Sequence, residues 1–96
     1  MKNKLPFEEI KLEKNEFIRK FSSDEDTEEY VWHRDLEDRI IKVISGSNWY
    51  LQIDNSIPEK MVSGKDYFIK KLTWHRVIKG EEELIIKLTK IIDNKQ

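Results

Sequence analysis

From about residue 30 onward, apolar and polar residues alternate in short bursts rich in β-branched and aromatic types, and each burst ends in a turn-forming cluster. A period of two is the mark of a strand with one buried face. The expected strands are 30–34, 39–44, 49–53, 67–69, 73–78 and 84–91. Ser45-Gly46-Ser47-Asn48, Asp54-Asn55-Ser56-Ile57-Pro58, Ser63-Gly64 and Lys79-Gly80-Glu81 separate them. No proline interrupts these strands, and six of them in about sixty residues predict an antiparallel meander, sandwich or barrel. The last segment is ambiguous, because Leu84, Ile85, Leu88, Ile91 and Ile92 also fit one helical face. The tight connection before it asks for a pairing partner and an all-β sheet needs a closing strand, so a strand is expected.

Residues 1–28 are expected to add N-terminal strands and an acidic loop that pack on a barrel core of residues 29–92, with 93–96 as a frayed tail. The apolar stretches here are Leu5-Pro6-Phe7 and Phe17-Ile18, and the polar run is Ser22-Ser23-Asp24-Glu25-Asp26-Thr27-Glu28-Glu29. That run reads as solvated loop. As a calcium site it lacks the glycine turn and the fixed ligand spacing. Trp49, Leu51 and Ile53, with Ile41 and Val43, read as barrel lining.

Length and charge narrow the class. Ninety-six residues suit one domain. Eighteen Lys and Arg against nineteen Asp and Glu leave a net charge of −1, which gives no global field toward nucleic acid or an anionic membrane. Without cysteine there is no disulfide, thiolate nucleophile or cysteine-based zinc site, and a cytoplasmic location is expected. No apolar run is long enough for a transmembrane helix or a signal peptide.

One tripeptide occurs twice, Trp32-His33-Arg34 and Trp74-His75-Arg76, and it holds both histidines of the chain. Within strands each His faces away from its flanking Trp and Arg. His33 and His75 can therefore share the interior while Trp32, Trp74, Arg34 and Arg76 share the outside. Asp35, two residues past His33, points the same way as His33. Two imidazoles and one carboxylate are the donor set of a facial site that leaves positions open on a divalent ion. The plain alternative is that these are barrel-lining polar residues paired with one another or with Arg39.

The stretch from 30 to 88 resembles the small single-domain cupins, which implies an all-β, conical antiparallel barrel of jelly-roll type. Their first signature has a His, a second His two positions on, a Glu four further and a Gly seven beyond that. His33, Asp35, Arg39 and Gly46 fall on those spacings. The second signature has a Gly, a Pro six on, a Gly two later and a His after three more. Gly64, Lys70, Leu72 and His75 take those places, so its first Gly and its His match. The resemblance implies His33, Asp35 and His75 as metal ligands. Arg39 cannot ligate, and its charge roughly 5 Å from a divalent ion would cost on the order of 6 kcal/mol at an effective dielectric of 20. An anionic substrate held by Arg39 would relieve that cost.

Three functions follow from this set. The first is a metal-dependent small-molecule enzyme such as a dioxygenase, lyase or isomerase, with iron(II) first and manganese, nickel, cobalt or zinc also permitted. The second is a metal-free binding, regulatory or assembly module in which Arg39 pairs with Asp35. The third is a metal-free acid–base isomerase with His33 or His75 as base and Asp35 orienting it. Trp32 and Trp74 on the outer face call for a cover. A second copy in a homodimer is expected, with the N-terminal residues Leu5, Phe7 and Ile10 as the alternative.

Overall fold

The computed structural model describes residues 7–24 and 28–92. Its strands are β1 (Phe7–Glu13), β2 (Glu16–Phe21), β3 (Asp38–Ser45), β4 (Tyr50–Ile53), β5 (Glu59–Lys60), β6 (Asp66–Ile69), β7 (His75–Ile78) and β8 (Leu84–Ile91), with a 3₁₀ turn at Glu28–Tyr30. They form two antiparallel sheets, one in the order β1-β2-β8-β3-β6 and one in the order β5-β4-β7. Leu5, Glu25, Asp26 and the tail 93–96 lie outside the described residues. Among the described residues no helix is long and apolar enough to cross a membrane.

The ambiguous segment is a strand and lies inside the larger sheet, with β2 along one side and β3 along the other. Leu84, Ile86 and Leu88 are all buried against the core. In a helix, residues two apart diverge by about 200°, so these three could not have shared one face. Phe21, Ile41, Val43, Tyr67 and Ile69 complete this side of the core, and Trp49, Leu51, Met61 and Val77 belong to the same cluster. Trp49 is fully buried, and its Nε1–H donates to the Glu82 carbonyl at 2.6 Å, so its one polar atom is satisfied.

One expected strand does not form. In place of a strand over 30–34 the chain makes the 3₁₀ turn, bends, and pairs at a single residue, His33. Tyr30 is the cause. Its ring packs against Trp49 at 5.9 Å and Phe21 at 6.3 Å between centroids, and its hydroxyl donates to the Ser22 carbonyl at 3.1 Å. Seating that ring forces the backbone inward, and the tertiary contact overrides local β preference.

The turns on either side of β7 fix its position. Before it, Leu72 has φ +63°, a left-handed conformation that L side chains disfavour. Its N–H donates to the Asp35 carbonyl at 2.7 Å, and the Lys71 N–H donates to Asp38 Oδ1 at 2.7 Å. A left-handed backbone is expected of glycine, so nothing in the local sequence advertises this turn. After β7, a Cβ on Gly80 would collide with the Ser47 carbonyl oxygen and come within 2.5 Å of Trp49 Cδ1.

These two turns predict opposite effects in urea unfolding. Leu72→Gly raises stability by up to about 1 kcal/mol, because it relieves the left-handed strain at a half-exposed side chain. Gly80→Ala lowers stability by about 1–3 kcal/mol through overpacking. Unchanged midpoints in both variants would contradict this account of the turns.

Candidate metal centre

His75 opens β7 opposite Ile53 of β4 and, on its other side, opposite His33. The two histidines exchange both backbone hydrogen bonds. His33 N–H donates to the His75 carbonyl at 3.0 Å, and His75 N–H donates to the His33 carbonyl at 2.9 Å. Directly opposed residues of an antiparallel pair project to the same face. Both imidazoles therefore turn inward, with ring centroids 4.3 Å apart.

The flanking residues go outside, as the alternation requires, and they pair reciprocally. The Arg34 guanidinium lies 5.0 Å from the Trp74 ring centre, and that of Arg76 lies 5.0 Å from Trp32. Trp32 and Trp74 remain 40% and 43% exposed. β1 is an edge strand of the larger sheet and its Ile10 is exposed, so Ile10 does not serve as the cover.

Asp35 is not on a strand, yet the hydrogen bond from Leu72 to its carbonyl holds it beside β7. Its Oδ2 lies 3.2 Å from His75 Nε2. The structure thus brings together the three residues singled out as ligands: one donor atom each of His33, Asp35 and His75 lie within 4.8 Å of one another, a group that could hold a metal ion. His75 is the most buried of the three, and His33 and Asp35 form the more open side.

The tautomers suit such an ion. His33 Nδ1 lies 2.8 Å from the Val31 carbonyl and His75 Nδ1 lies 2.8 Å from the Thr73 carbonyl. A carbonyl oxygen can only accept, so each Nδ1 carries a proton, and a ring in its neutral form presents its lone pair at Nε2. His33 Nε2 in turn lies 3.1 Å from Glu29 Oε1. With neutral rings, both close approaches set a lone pair against a carboxylate oxygen. His33 Nε2 and Asp35 Oδ2 are buried and neither makes an aligned hydrogen bond. Bringing acceptors together out of water is costly unless a proton or a cation lies between them.

The protonation equilibria reflect that tension. Burial works against the charged form of His33, but the contact with Glu29, the Val31 carbonyl and the charges of Glu29 and Asp35 outweigh it and raise its pKa above the ordinary imidazole value. Burial likewise pushes Asp35 up, yet His75, the Arg39 charge and His33 together hold it below the usual carboxylate value. Glu29 is also lowered, with burial overcome by His33, Arg19 and Arg39.

Arg39 shares the interior face of β3 with Ile41 and Val43. Its Nε donates to Glu37 Oε2 at 2.6 Å, and its Nη2 lies 3.4 Å from Asp35 Oδ1. The repulsion expected of this charge toward a metal is thereby met by an anion within the chain. Arg19, also buried, pairs with Glu9 at 2.5 Å and with Glu29 at 3.8 Å. Among the described residues, four carboxylates here face two guanidiniums, which leaves two negative charges when the imidazoles are neutral.

Sequence reasoning missed Glu29, Glu37 and Arg19. Glu29 belongs to the acidic run expected to be solvated, and no spacing in that run sets it apart. Arg19 was detectable, since it alternates in phase with Phe17 and Phe21 on one face of β2. Arg19, Glu29, Arg39 and His75 form the polar end of a narrow interior cavity of about 20 Å³, room for a water molecule and not for a substrate.

No protein-family model matches the sequence, and no curated protein does. Solved structures do match. The dimethylsulfoniopropionate (DMSP) lyase DddQ from Ruegeria pomeroyi is similar at TM-score 0.68 and 11% identity, over 84% of this chain. This chain spans 39% of that lyase's length. A cupin-2 domain protein from Shewanella frigidimarina matches at TM-score 0.65 and 19% identity, with 93% of this chain and 84% of that one covered. A cupin domain from Bordetella pertussis matches at TM-score 0.63 and 15% identity, over 95% of this chain and 100% of that one. At such identities the likeness is one of fold, and by that likeness and its two antiparallel sheets the chain has the cupin fold.

Proposed function

We propose that this protein binds one divalent cation through His33, Asp35 and His75 and acts on a small anionic molecule. The observation that carries this reading is the pair of buried, unsatisfied ligand atoms, His33 Nε2 and Asp35 Oδ2, set among imidazoles whose Nε2 lone pairs are exposed by their Nδ1 hydrogen bonds. The surplus of two negative charges suits a doubly charged ion. Such an ion supplies Lewis-acid polarisation or, as iron(II), dioxygen chemistry of the dioxygenase kind. Iron is the first choice, and manganese, nickel, cobalt and zinc fit the same donors.

Access comes from the side of His33 and Asp35, because the interior cavity is too small to admit a substrate. Arg39 is the proposed anion contact. Two of its donors already face Glu37 and Asp35, so an incoming carboxylate or phosphate competes with Glu37 for the guanidinium. A lyase among the proteins of similar fold supports a catalytic reading of the site. The Arg39–Asp35 contact is the observation that favours the metal-free alternatives, in which that ion pair and a protonated His33 balance the cluster. The exposed Trp32 and Trp74 support a homodimer through the outer face of the smaller sheet.

Three measurements check this reading. Elemental analysis of the purified chain finds close to one equivalent of metal, and almost none in His75→Ala. No metal in the parent after iron or manganese loading would move the assignment to the metal-free module.

The second concerns pH. In the metal-free chain, Glu29 and Asp35 have folded-state values below their unfolded ones, so their stabilisation is complete above about pH 4.5 and is lost as pH falls. His33 has a raised value, so its stabilisation is complete below about pH 6.5 and is lost as pH rises through the folded value. The metal-free melting temperature therefore peaks between about pH 4.5 and 6.5. Added metal reverses the alkaline limb, because the ion binds neutral imidazole and its stabilisation grows with pH. A metal-induced shift that shrinks as pH rises from 6 to 8 would count against imidazole ligation.

Light scattering after size exclusion gives the third. A mass twice the 11.6 kDa of the chain is expected, falling to the monomer in Trp32→Glu/Trp74→Glu. A parent monomer at micromolar concentration rejects the dimer.

A further inference from the structure

We propose that Glu29, from the 3₁₀ turn outside both signatures, is a fourth protein ligand to the ion held by His33, Asp35 and His75, replacing the carboxylate that the first signature would place at Arg39. This inference rests on the metal reading above and extends its donor set.

Three observations support it. First, two donors bound to one ion at about 2.1 Å and near a right angle stand about 3 Å apart with neither lone pair aimed at the other. Glu29 Oε1 and His33 Nε2 are 3.1 Å apart, which nearly repeats the 3.2 Å between Asp35 Oδ2 and His75 Nε2. His33 Nε2 is buried and makes no aligned hydrogen bond, so the Glu29 contact is a side-by-side approach and not a donor pointing at an acceptor.

Second, the two oxygens of Glu29 face different groups. Oε2 lies 3.8 Å from the Arg19 guanidinium, and Oε1 lies 3.1 Å from His33 Nε2. That is the pose of a one-oxygen ligand whose other oxygen is anchored by a cation. Third, Glu29 lines the same interior cavity as His75 and Arg39, so it faces the cluster from within the barrel. Glu29 stands outside the group formed by the other three donors, so ligation requires its side chain to move toward them.

The anchor for this pose is Tyr30. Its ring, wedged against Trp49 and Phe21, fixes the turn that presents the preceding residue to His33. Arg39 stays out of the donor set because its guanidinium has no lone pair to offer and is engaged by Glu37.

Copper(II) is a useful probe, since it binds nitrogen and oxygen donors more tightly than the other first-row divalent ions. Pulsed electron paramagnetic resonance counts the imidazoles coordinated to it. The parent shows two, and Glu29→His, whose Nε2 reaches about as far as the Glu oxygen, shows three. Calorimetry on the isosteric Glu29→Gln gives a copper affinity at least about tenfold weaker than the parent. An unchanged count of two in Glu29→His, or parental affinity in Glu29→Gln, overturns the assignment of Glu29 while leaving the three-residue site in place. A parent that binds no copper, or binds it equally well after His75→Ala, overturns the metal reading and this inference with it.

Discussion

The reciprocal backbone hydrogen bonds between His33 and His75 are the constraint on which the candidate site depends. They join two copies of one tripeptide in antiparallel register. Strand geometry then does the sorting, with imidazoles inside and Trp and Arg outside. The Trp–Arg contacts are the outer half of the same arrangement, each guanidinium resting on the indole of the opposite segment. A single bridge residue on a short edge would be weak alone. It is reinforced by the Leu72–Asp35 and Lys71–Asp38 hydrogen bonds on one side and by Tyr30 in the core on the other. These three fastenings hold a non-strand segment in register with β7.

Charge is the second constraint. A barrel of this size has little apolar volume, yet it places Arg19, Glu29, Asp35, Arg39 and His75 at one end of its interior. Buried charges are tolerated when each has partners, and the two guanidiniums here are held by Glu9 and Glu29 and by Glu37 and Asp35. What the carboxylates do not balance is each other. Two of those carboxylates, Glu29 and Asp35, lie at the imidazoles, where His33 Nε2 and Asp35 Oδ2 lack an aligned hydrogen bond. A cation between those atoms accounts for the coincidence, and in its absence a proton on His33 relieves part of it.

Much of this was legible in the chain. The tight connection before Leu84 and the need for a closing strand pointed to a strand over 84–91 where periodicity was ambiguous, and the repeated tripeptide located both imidazoles. Features set by tertiary contact were not legible. Nothing near Glu29 distinguishes it from the other acids of its run, and what turns it inward is the docking of Tyr30 on Trp49. The same docking replaced the strand expected over 30–34. Leu72 shows the converse, a left-handed backbone at a residue whose type does not favour it. Arg39, read from sequence as an obstacle to a cation, has its charge met by Glu37, a neighbour two residues away whose orientation no spacing rule supplies.

The central claim is that His33, Asp35 and His75 converge on one ion. Anomalous diffraction at the cobalt or manganese edge, from crystals grown with that metal, tests it most directly. The account predicts one strong difference peak bounded by His33 Nε2, His75 Nε2 and an Asp35 carboxylate oxygen. A well-ordered structure with no peak at that position, and with Asp35 paired solely to Arg39, would contradict it.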